Sequence, residues 1–225
     1  MTRRSRLPLG ALVLVVNAVQ WVVAEAITAA AWTDPPYSYV TNYISDLGVS
    51  DCGTQFQGRV LCSPDHTLMN VSFIAEGVLF ALGIVLLARL VEGRVRRVVI
   101  ALALAHAVGL VLVGLFHGSA NGPQAGLALH VGGAAVGIIC ANTLVIMAGS
   151  LRGLGASKAY RVFSVTVGVL GLVSEALTGV SASTAGAFER GGVYSWLLWS
   201  TVTGVLLLVR DRRATRRDVL ENVSA

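Results

Sequence analysis

The sequence predicts an all-α protein: a polytopic membrane bundle of six transmembrane helices that forms one domain over residues 1–225. The first observation is composition, because mean hydropathy is +0.72 and 13% of the residues are charged, against about 25% in ordinary soluble chains. The second is a set of six apolar runs, each close to the roughly 20 residues that a helix needs to cross a bilayer. The third is that all five prolines fall at or outside the ends of these runs, where a helix tolerates them.

The runs place the spans at about residues 7–32, 67–91, 98–117, 126–149, 159–182 and 193–209. Before the second span, Ser63 and Pro64 supply an N-cap and a first-turn proline. The sixth span is short and lies near the lower limit for crossing. The first run also has the basic start and small-residue end of a cleaved signal peptide, but it is longer than such signals usually are. We expect it to be retained as a span, with cleavage as the alternative.

The basic residues predict the orientation, because 15 of the 17 lie on one side of the predicted bundle. They precede the first span, follow the second and the fourth, and continue after the sixth in a basic tail over residues 210–225. The positive-inside rule then predicts a protein of the cell membrane in which this side and both termini face the cytoplasm. The net charge of +5 then matches anionic lipid headgroups. Membrane lipids are therefore the expected partners, and no nucleic-acid partner is expected.

Residues 33–66 form the one large extracytoplasmic loop of this topology. The loop contains Cys52 and Cys62, whereas Cys140 lies in the fourth span. Cysteines in an oxidising compartment usually pair, so a disulfide between Cys52 and Cys62 is predicted, with two free thiols as the alternative. The closed loop is short, which limits the expected stabilisation to about 3 kcal/mol.

The segment YVTNYISDLG in this loop predicts a short amphipathic helix. Its apolar residues recur at i, i+3, i+4 and i+7, at Val40, Tyr43, Ile44 and Leu47. Its polar residues project from the other side, at Asn42, Ser45 and Asp46. The helix could lie at the headgroup level with this side in water, or it could fold back as a lid that points Asp46 into the bundle. The lid is preferred, and it predicts an ion pair of Asp46 with Arg190, or else with Arg59.

Polar side chains inside the spans are costly in lipid, and most of them lie at the depth of this loop. The set comprises Glu25, His66, Asn70, Glu76, His117, His130 and Glu175, followed by Glu189 and Arg190 in the last outer loop. A stripe of small residues, Gly168 and Gly171 among them, turns Glu175 toward other helices. Together with the polar residues of the lid, this set predicts an outward-opening polar cavity. Each side chain could instead have only a structural partner.

At these residues the chain resembles a family of six-span prokaryotic membrane proteins, domain of unknown function 998. The matching motifs are NYISDLG, CSPDHTLMN, LFHGSANGPQAGLALHVGG and GAFERGGVYSWLLWSTVTGVLLL. The resemblance covers nearly the whole chain and implies six spans and no established activity. His117 departs from the pattern, since a proline-bearing turn is expected there. The chain is also distantly similar to the Frag1, DRAM and Sfk1 type of membrane protein, which implies a lipid-related role by analogy only.

The preferred function is non-enzymatic: the cavity binds or passes a small amphipathic or lipid-like molecule. Three carboxylates could couple this function to protons, namely Glu25, Glu76 and Glu175. No cofactor is expected, and nothing in the sequence indicates the oligomeric state.

Two other functions are kept as alternatives. A metal-dependent membrane hydrolase would hold zinc with His66, His117, His130 and Asp46, although these residues lack the close spacing of zinc motifs. A b-type haem protein would use His106 and His130 as axial ligands, which requires a matched depth that their positions do not supply.

Overall fold

The computed structural model describes residues 6–56, 58–118, 124–151 and 157–224. Within them, six helices are long and apolar enough to cross a membrane, so the predicted all-α bundle of six spans is confirmed. The helices are α1 (Arg6–Ala31), α2 (His66–Leu87), α3 (Gly93–Leu115), α4 (Gln124–Ala148), α5 (Lys158–Leu177) and α6 (Ala185–Ser224). Four residues that entered the arguments on charge and proline placement lie outside the described residues: Arg3, Arg4, Pro123 and Arg152.

The last two helices have other limits than the apolar runs predicted. Helix α5 ends at Leu177 and not at residue 182, and α6 begins at Ala185 and not at residue 193. The prediction left Glu189 and Arg190 in a loop because they are charged, yet both are buried residues of α6. An apolar run underestimates the length of a helix when charged side chains of that helix have partners inside the bundle. At its other end α6 continues to Ser224, through residues predicted as a separate basic tail.

The six helices pack as a ring in chain order, in which each contacts the next and α6 closes the ring against α1. Small residues permit a close approach between α3 and α4: a Cβ added to Gly109 would lie 2.5 Å from the carbonyl oxygen of Gly133. Large aromatic side chains fill the centre, with Trp21, Phe80 and Trp196 almost fully buried. Packing of this kind is the usual source of helix association in lipid.

The connection between α1 and α2 contains a hairpin, and we call the end of the bundle that carries it the loop end. Strand β1 (Thr54–Phe56) pairs antiparallel with β2 (Arg59–Leu61). The predicted disulfide is confirmed, because Cys52 and Cys62 are bonded beside this hairpin. Cys140 is a free cysteine.

The segment from Val40 to Gly48 does not form the predicted amphipathic helix. Only a single 3₁₀ turn is present, at Ser45–Gly48. Ile44 and Leu47 are buried in the core, Asn42 and Asp46 are buried as well, and Val40 is half-exposed. The polar side chains bond to nearby backbone amides, since Asn42 accepts from Ser38 N and Asp46 from Tyr43 N. Such local bonds compete with helix formation.

Candidate functional site

Asp46 is paired with Arg59. Its Oδ2 accepts hydrogen bonds from Arg59 Nε at 2.8 Å and from Tyr43 N at 3.0 Å. The Arg59 guanidinium also lies over the ring of Tyr43, 4.2 Å from its centroid. The preferred partner, Arg190, was therefore wrong, and the second choice, Arg59, is confirmed. The β1–β2 hairpin turns the chain back over the segment, which brings two residues of the same loop together.

Arg190 instead joins α6 to α1 and to the loop. It forms an ion pair of 2.9 Å with Glu25. Its Nη1 donates to the carbonyl oxygens of Tyr39 and Asn42 at 2.7 and 2.9 Å, and its Nη2 donates to the Tyr37 hydroxyl. Glu25 accepts two more hydrogen bonds, from Trp21 Nε1 at 3.2 Å and Tyr194 Oη at 3.0 Å. The buried guanidinium of Arg190 thus attaches the loop to the bundle, because it donates hydrogen bonds both to the loop and to Glu25 of α1.

Tyr37 lies between this guanidinium and the loop backbone. Its hydroxyl donates to the carbonyl oxygen of Tyr43 at 2.8 Å and accepts from Arg190. Burial raises the pKa of Tyr37 well above its ordinary value, and the neighbouring guanidinium offsets only part of that increase.

Glu189 holds the same segment from the other side. Its Oε2 accepts a hydrogen bond from the backbone amide of Ile44. Two residues earlier in α6, the amide of Ala187 donates to Val40 O at 3.0 Å. Segment 40–46 therefore rests on the first two turns of α6, which the sequence analysis had placed in a loop.

Glu76 lies at the centre of the bundle, with partners on three other helices. Its Oε1 accepts from Asn17 Nδ2 at 3.1 Å and from Trp196 Nε1 at 2.8 Å, and its Oε2 lies 2.7 Å from His106 Nε2. The second nitrogen of that ring, Nδ1, is 2.9 Å from Gly137 O. Both nitrogens of His106 have partners, so the predicted haem ligand is engaged in the packing of the helices.

The predicted zinc set is not brought together. His66 Nδ1 contacts Ser63 O at 3.0 Å, His117 is exposed, and His130 Nδ1 lies 3.2 Å from Val113 O. Of the set, only His130 and Asp46 line a common cavity. Among the residues that the structure describes, no group of three or more His, Cys, Asp or Glu side chains could hold a metal ion. His66 and His130 are each engaged by a backbone carbonyl oxygen, of Ser63 and Val113 respectively.

A cavity of about 240 Å³ lies at the loop end between α4, α5, α6 and the loop. Its lining residues are Tyr43, Ser45, Asp46, Val49, Phe56, Gly118, Leu127, His130, Val131, Ala134, Ala135, Ile138, Glu175, Thr178 and Glu189. Of the predicted site residues, it therefore collects Ser45, Asp46, His130, Glu175 and Glu189. The other members of the predicted set do not line it: Glu25, Asn42, His66, Asn70, Glu76, His117 and Arg190.

Several of these excluded residues have structural contacts instead. Asn70 Nδ2 donates to Gly48 O at 2.8 Å and fixes the end of the 3₁₀ turn on α2. The approach is close, since a Cβ on Gly48 would lie 2.3 Å from Asn70 Oδ1. Glu175, by contrast, has a buried Oε2 without a hydrogen-bond partner among the described residues.

Sequence reasoning missed Asn17, Tyr37 and Trp196, which complete the two networks. Asn17 carried a usable signal, because it is a polar residue in the middle of the first apolar run. Tyr37 and Trp196 gave none, since each combines an apolar ring with one polar atom that needs a partner only when buried.

Among known proteins, the chain matches one family model. No curated protein and no solved structure matches the chain, and the distant similarity to the Frag1 type stays a prediction. A family model described as a protein of unknown function, DUF998, matches residues 14–206, which includes part or all of every helix from α1 to α6. The chain therefore belongs to the DUF998 family.

Proposed function

We propose that the chain is a non-enzymatic membrane protein that binds a small amphipathic or lipid-like molecule in the cavity at the loop end. The cavity opens outward in this proposal. By their positions in the sequence, 15 of the 17 basic residues lie at or near the ends of the predicted spans on the opposite side of the bundle. The positive-inside rule assigns that opposite end to the cytoplasm.

The observation that carries the proposal is the two-sided lining of the cavity. One wall belongs to α4 and is apolar except for His130, with Leu127, Val131, Ala135 and Ile138. The facing side carries carboxyl groups, with Glu175 and Glu189 among them. An apolar wall with a few polar groups at one side is typical of a site for a small amphipathic molecule.

The tail of such a molecule has a path toward the lipid. The volume of about 240 Å³ is below the roughly 300–1,000 Å³ of a pocket for a drug-sized ligand, so a headgroup fits but a long chain does not. Val131 lines the cavity and is 58% exposed on the surface of the bundle. In a bilayer this surface faces acyl chains, and a tail would leave the cavity there.

Binding is proposed in preference to catalysis because of how the cavity hydroxyls are placed. Nucleophilic catalysis requires a hydroxyl or thiol within hydrogen-bond reach of a base. The lining has two described aliphatic hydroxyls, Ser45 and Thr178. Neither has a carboxylate or imidazole partner among the described residues, and Thr178 Oγ1 donates to Ser174 O.

The test fills the cavity and measures what the protein retains. Ala135→Trp places an indole on the lined side of α4, and the matched control Ala176→Trp adds the same group to an exposed position of α5 outside the lining. Protein purified in a mild detergent is analysed by native mass spectrometry and by mass spectrometry of extracted lipids. We expect a bound amphipathic molecule on the wild type and the control, reduced about tenfold or more in Ala135→Trp, equivalent to 1.4 kcal/mol of binding free energy. Equal retention by Ala135→Trp would contradict the proposal.

A further inference from the structure

The carboxylates of the loop end differ in whether they have a positive partner. Asp46 is neutralised by Arg59 and Glu25 by Arg190. Glu175 and Glu189 line the cavity, and neither takes part in an ion pair with a described residue. Among the described residues that line the cavity there is no lysine or arginine. Two carboxyl groups of one site are therefore left without an ion-pair partner among the described residues.

Both groups have oxygen atoms that the protein leaves unsatisfied. Glu189 is 9% exposed and accepts one hydrogen bond, at Oε2 from Ile44 N, while its other oxygen bonds to no described residue. Glu175 accepts no hydrogen bond from a described residue, and its Oε2 is fully buried. A buried carboxylate oxygen without a donor is costly, because it has lost its water and gained nothing in return.

The two carboxyl groups reach the same part of α6. A Cβ added to Gly192 would lie 3.3 Å from Glu175 Oε2. Gly192 follows Glu189 by three residues, which places it on the same side of the helix one turn along. Glu175 and Glu189 both line the cavity, and they meet α6 at positions about one helical turn apart, so one small headgroup can contact both residues.

From these observations we infer that the molecule bound in the cavity is cationic, an amphipathic amine or quaternary ammonium whose headgroup lies between Glu175 and Glu189. The inference rests on the proposed function and specifies its ligand class. A phosphate or carboxylate headgroup would meet two like charges and, among the described lining residues, no lysine or arginine; His130 is the one histidine there. An ammonium group supplies the charge, and an amine also supplies the donors, that the two carboxylates lack.

The competing explanation is that both carboxyl groups carry a proton, in which case the cavity has no preference for a cation. Isosteric amides distinguish the two cases. Glu175→Gln removes the charge without removing any hydrogen bond to a described residue, so it should fold like the wild type. Glu92→Gln, at an exposed position before α3, is the matched control.

The experiment uses the full-length protein in maltoside micelles and three probes with the same alkyl chain: decyltrimethylammonium, decanol and decyl sulfate. Isothermal titration calorimetry gives the Kd of each probe, and the Ala135→Trp protein in the same micelles corrects for partition into detergent. We expect the ammonium to bind about tenfold or more tightly than the alcohol, with the sulfate weakest. Glu175→Gln and the double variant with Glu189→Gln should lose this preference, whereas Glu92→Gln should retain it.

The possible results distinguish failure of the cationic ligand from failure of the proposed binding function. Equal binding of the three probes to the wild type, or an unchanged ammonium preference in both Gln variants, overturns the cationic ligand and leaves the proposed binding function standing. Binding of none of the probes above the level of Ala135→Trp overturns both. If the double variant does not fold, Glu175→Gln alone decides, since circular dichroism verifies its fold independently.

Discussion

Glu76→Gln should leave the bundle nearly as stable as the wild type, whereas Glu76→Leu should destabilise it clearly. The reason is the hydrogen-bond pattern. His106 Nδ1 lies 2.9 Å from Gly137 O, and a carbonyl only accepts, so Nδ1 carries a hydrogen. One proton then lies between His106 Nε2 and Glu76 Oε2, and the pair has no net charge whichever atom holds it. A glutamine amide reproduces this arrangement: its oxygen accepts from Asn17 and Trp196, and its N–H donates to His106 Nε2.

The magnitude follows from the three contacts, of 3.1, 2.8 and 2.7 Å, that Glu76 makes. Hydrogen bonds between helices in a membrane contribute about 0.6 kcal/mol on average and at most about 1.7 kcal/mol. Leucine removes all three, which predicts a loss of about 2–5 kcal/mol in the free energy of unfolding. Glutamine keeps all three, which predicts a loss below about 1 kcal/mol.

The assay is reversible unfolding by sodium dodecyl sulfate in mixed micelles, followed by circular dichroism and tryptophan fluorescence. Glu92→Gln, at an exposed carboxylate, should show no change. If Glu76→Gln were as destabilising as Glu76→Leu, the charge of the carboxylate and not its acceptor geometry would be what the site needs. If Glu76→Leu were harmless, the network would contribute nothing measurable.

Three other perturbations test the packing and the loop. Asp46→Asn and Arg59→Gln should each destabilise the protein. In a double-mutant cycle their effects should be non-additive by about 0.5–3 kcal/mol, because the two side chains form one buried pair. Additive losses would mean that the two side chains do not interact. Gly133→Ala should cost about 1–3 kcal/mol of stability by overpacking, since its Cβ would lie 2.7 Å from a backbone oxygen of α3. Gly132→Ala, with nothing within 4 Å, should be neutral, and equal effects of the two would refute the α3–α4 contact. Burial raises the pKa of Tyr37, so in an ultraviolet titration its phenol should stay protonated at a pH where an unfolded tyrosine ionises. The free energy of unfolding should therefore fall as pH rises above about 10. A normal titration of all tyrosines would contradict the burial of Tyr37.

The partner of Asp46 shows where sequence reasoning stops. Arg190 was the preferred partner because it was predicted to lie in an outer loop near the same end of the bundle. The start of α6 was misplaced, since Glu189 and Arg190 interrupt the apolar run. A charge count cannot foresee that Arg190 reaches Glu25 of α1, a residue far away in the sequence. Arg59 comes back to Asp46 only through the β1–β2 hairpin.

The predicted set of polar residues was likewise chosen by depth in the membrane, and the structure separates its members into paired residues and residues that line the cavity. Depth follows from the position of a residue in its span, so Glu25, Glu76 and Glu175 could be named in advance, and Glu189 was named as a residue of the adjoining outer loop. Whether each carboxylate has a partner depends on the rotation of its helix and on the neighbour opposite. Glu25 and Glu76 meet donors on other helices, whereas Glu175 does not meet one among the described residues. The candidate site is thus smaller than the predicted set.

The amino-acid sequence by itself determined the number of helices and the disulfide of this protein. Both depend on local properties: the length of an apolar run against the thickness of a bilayer, and the presence of two cysteines close together in one loop. Only the tertiary structure decided the conformation of segment 40–48, the partners of the buried charges and the walls of the cavity. These depend on side chains that are distant in the chain and meet at ångström range, where hydrogen-bond geometry selects one partner among several of the same charge.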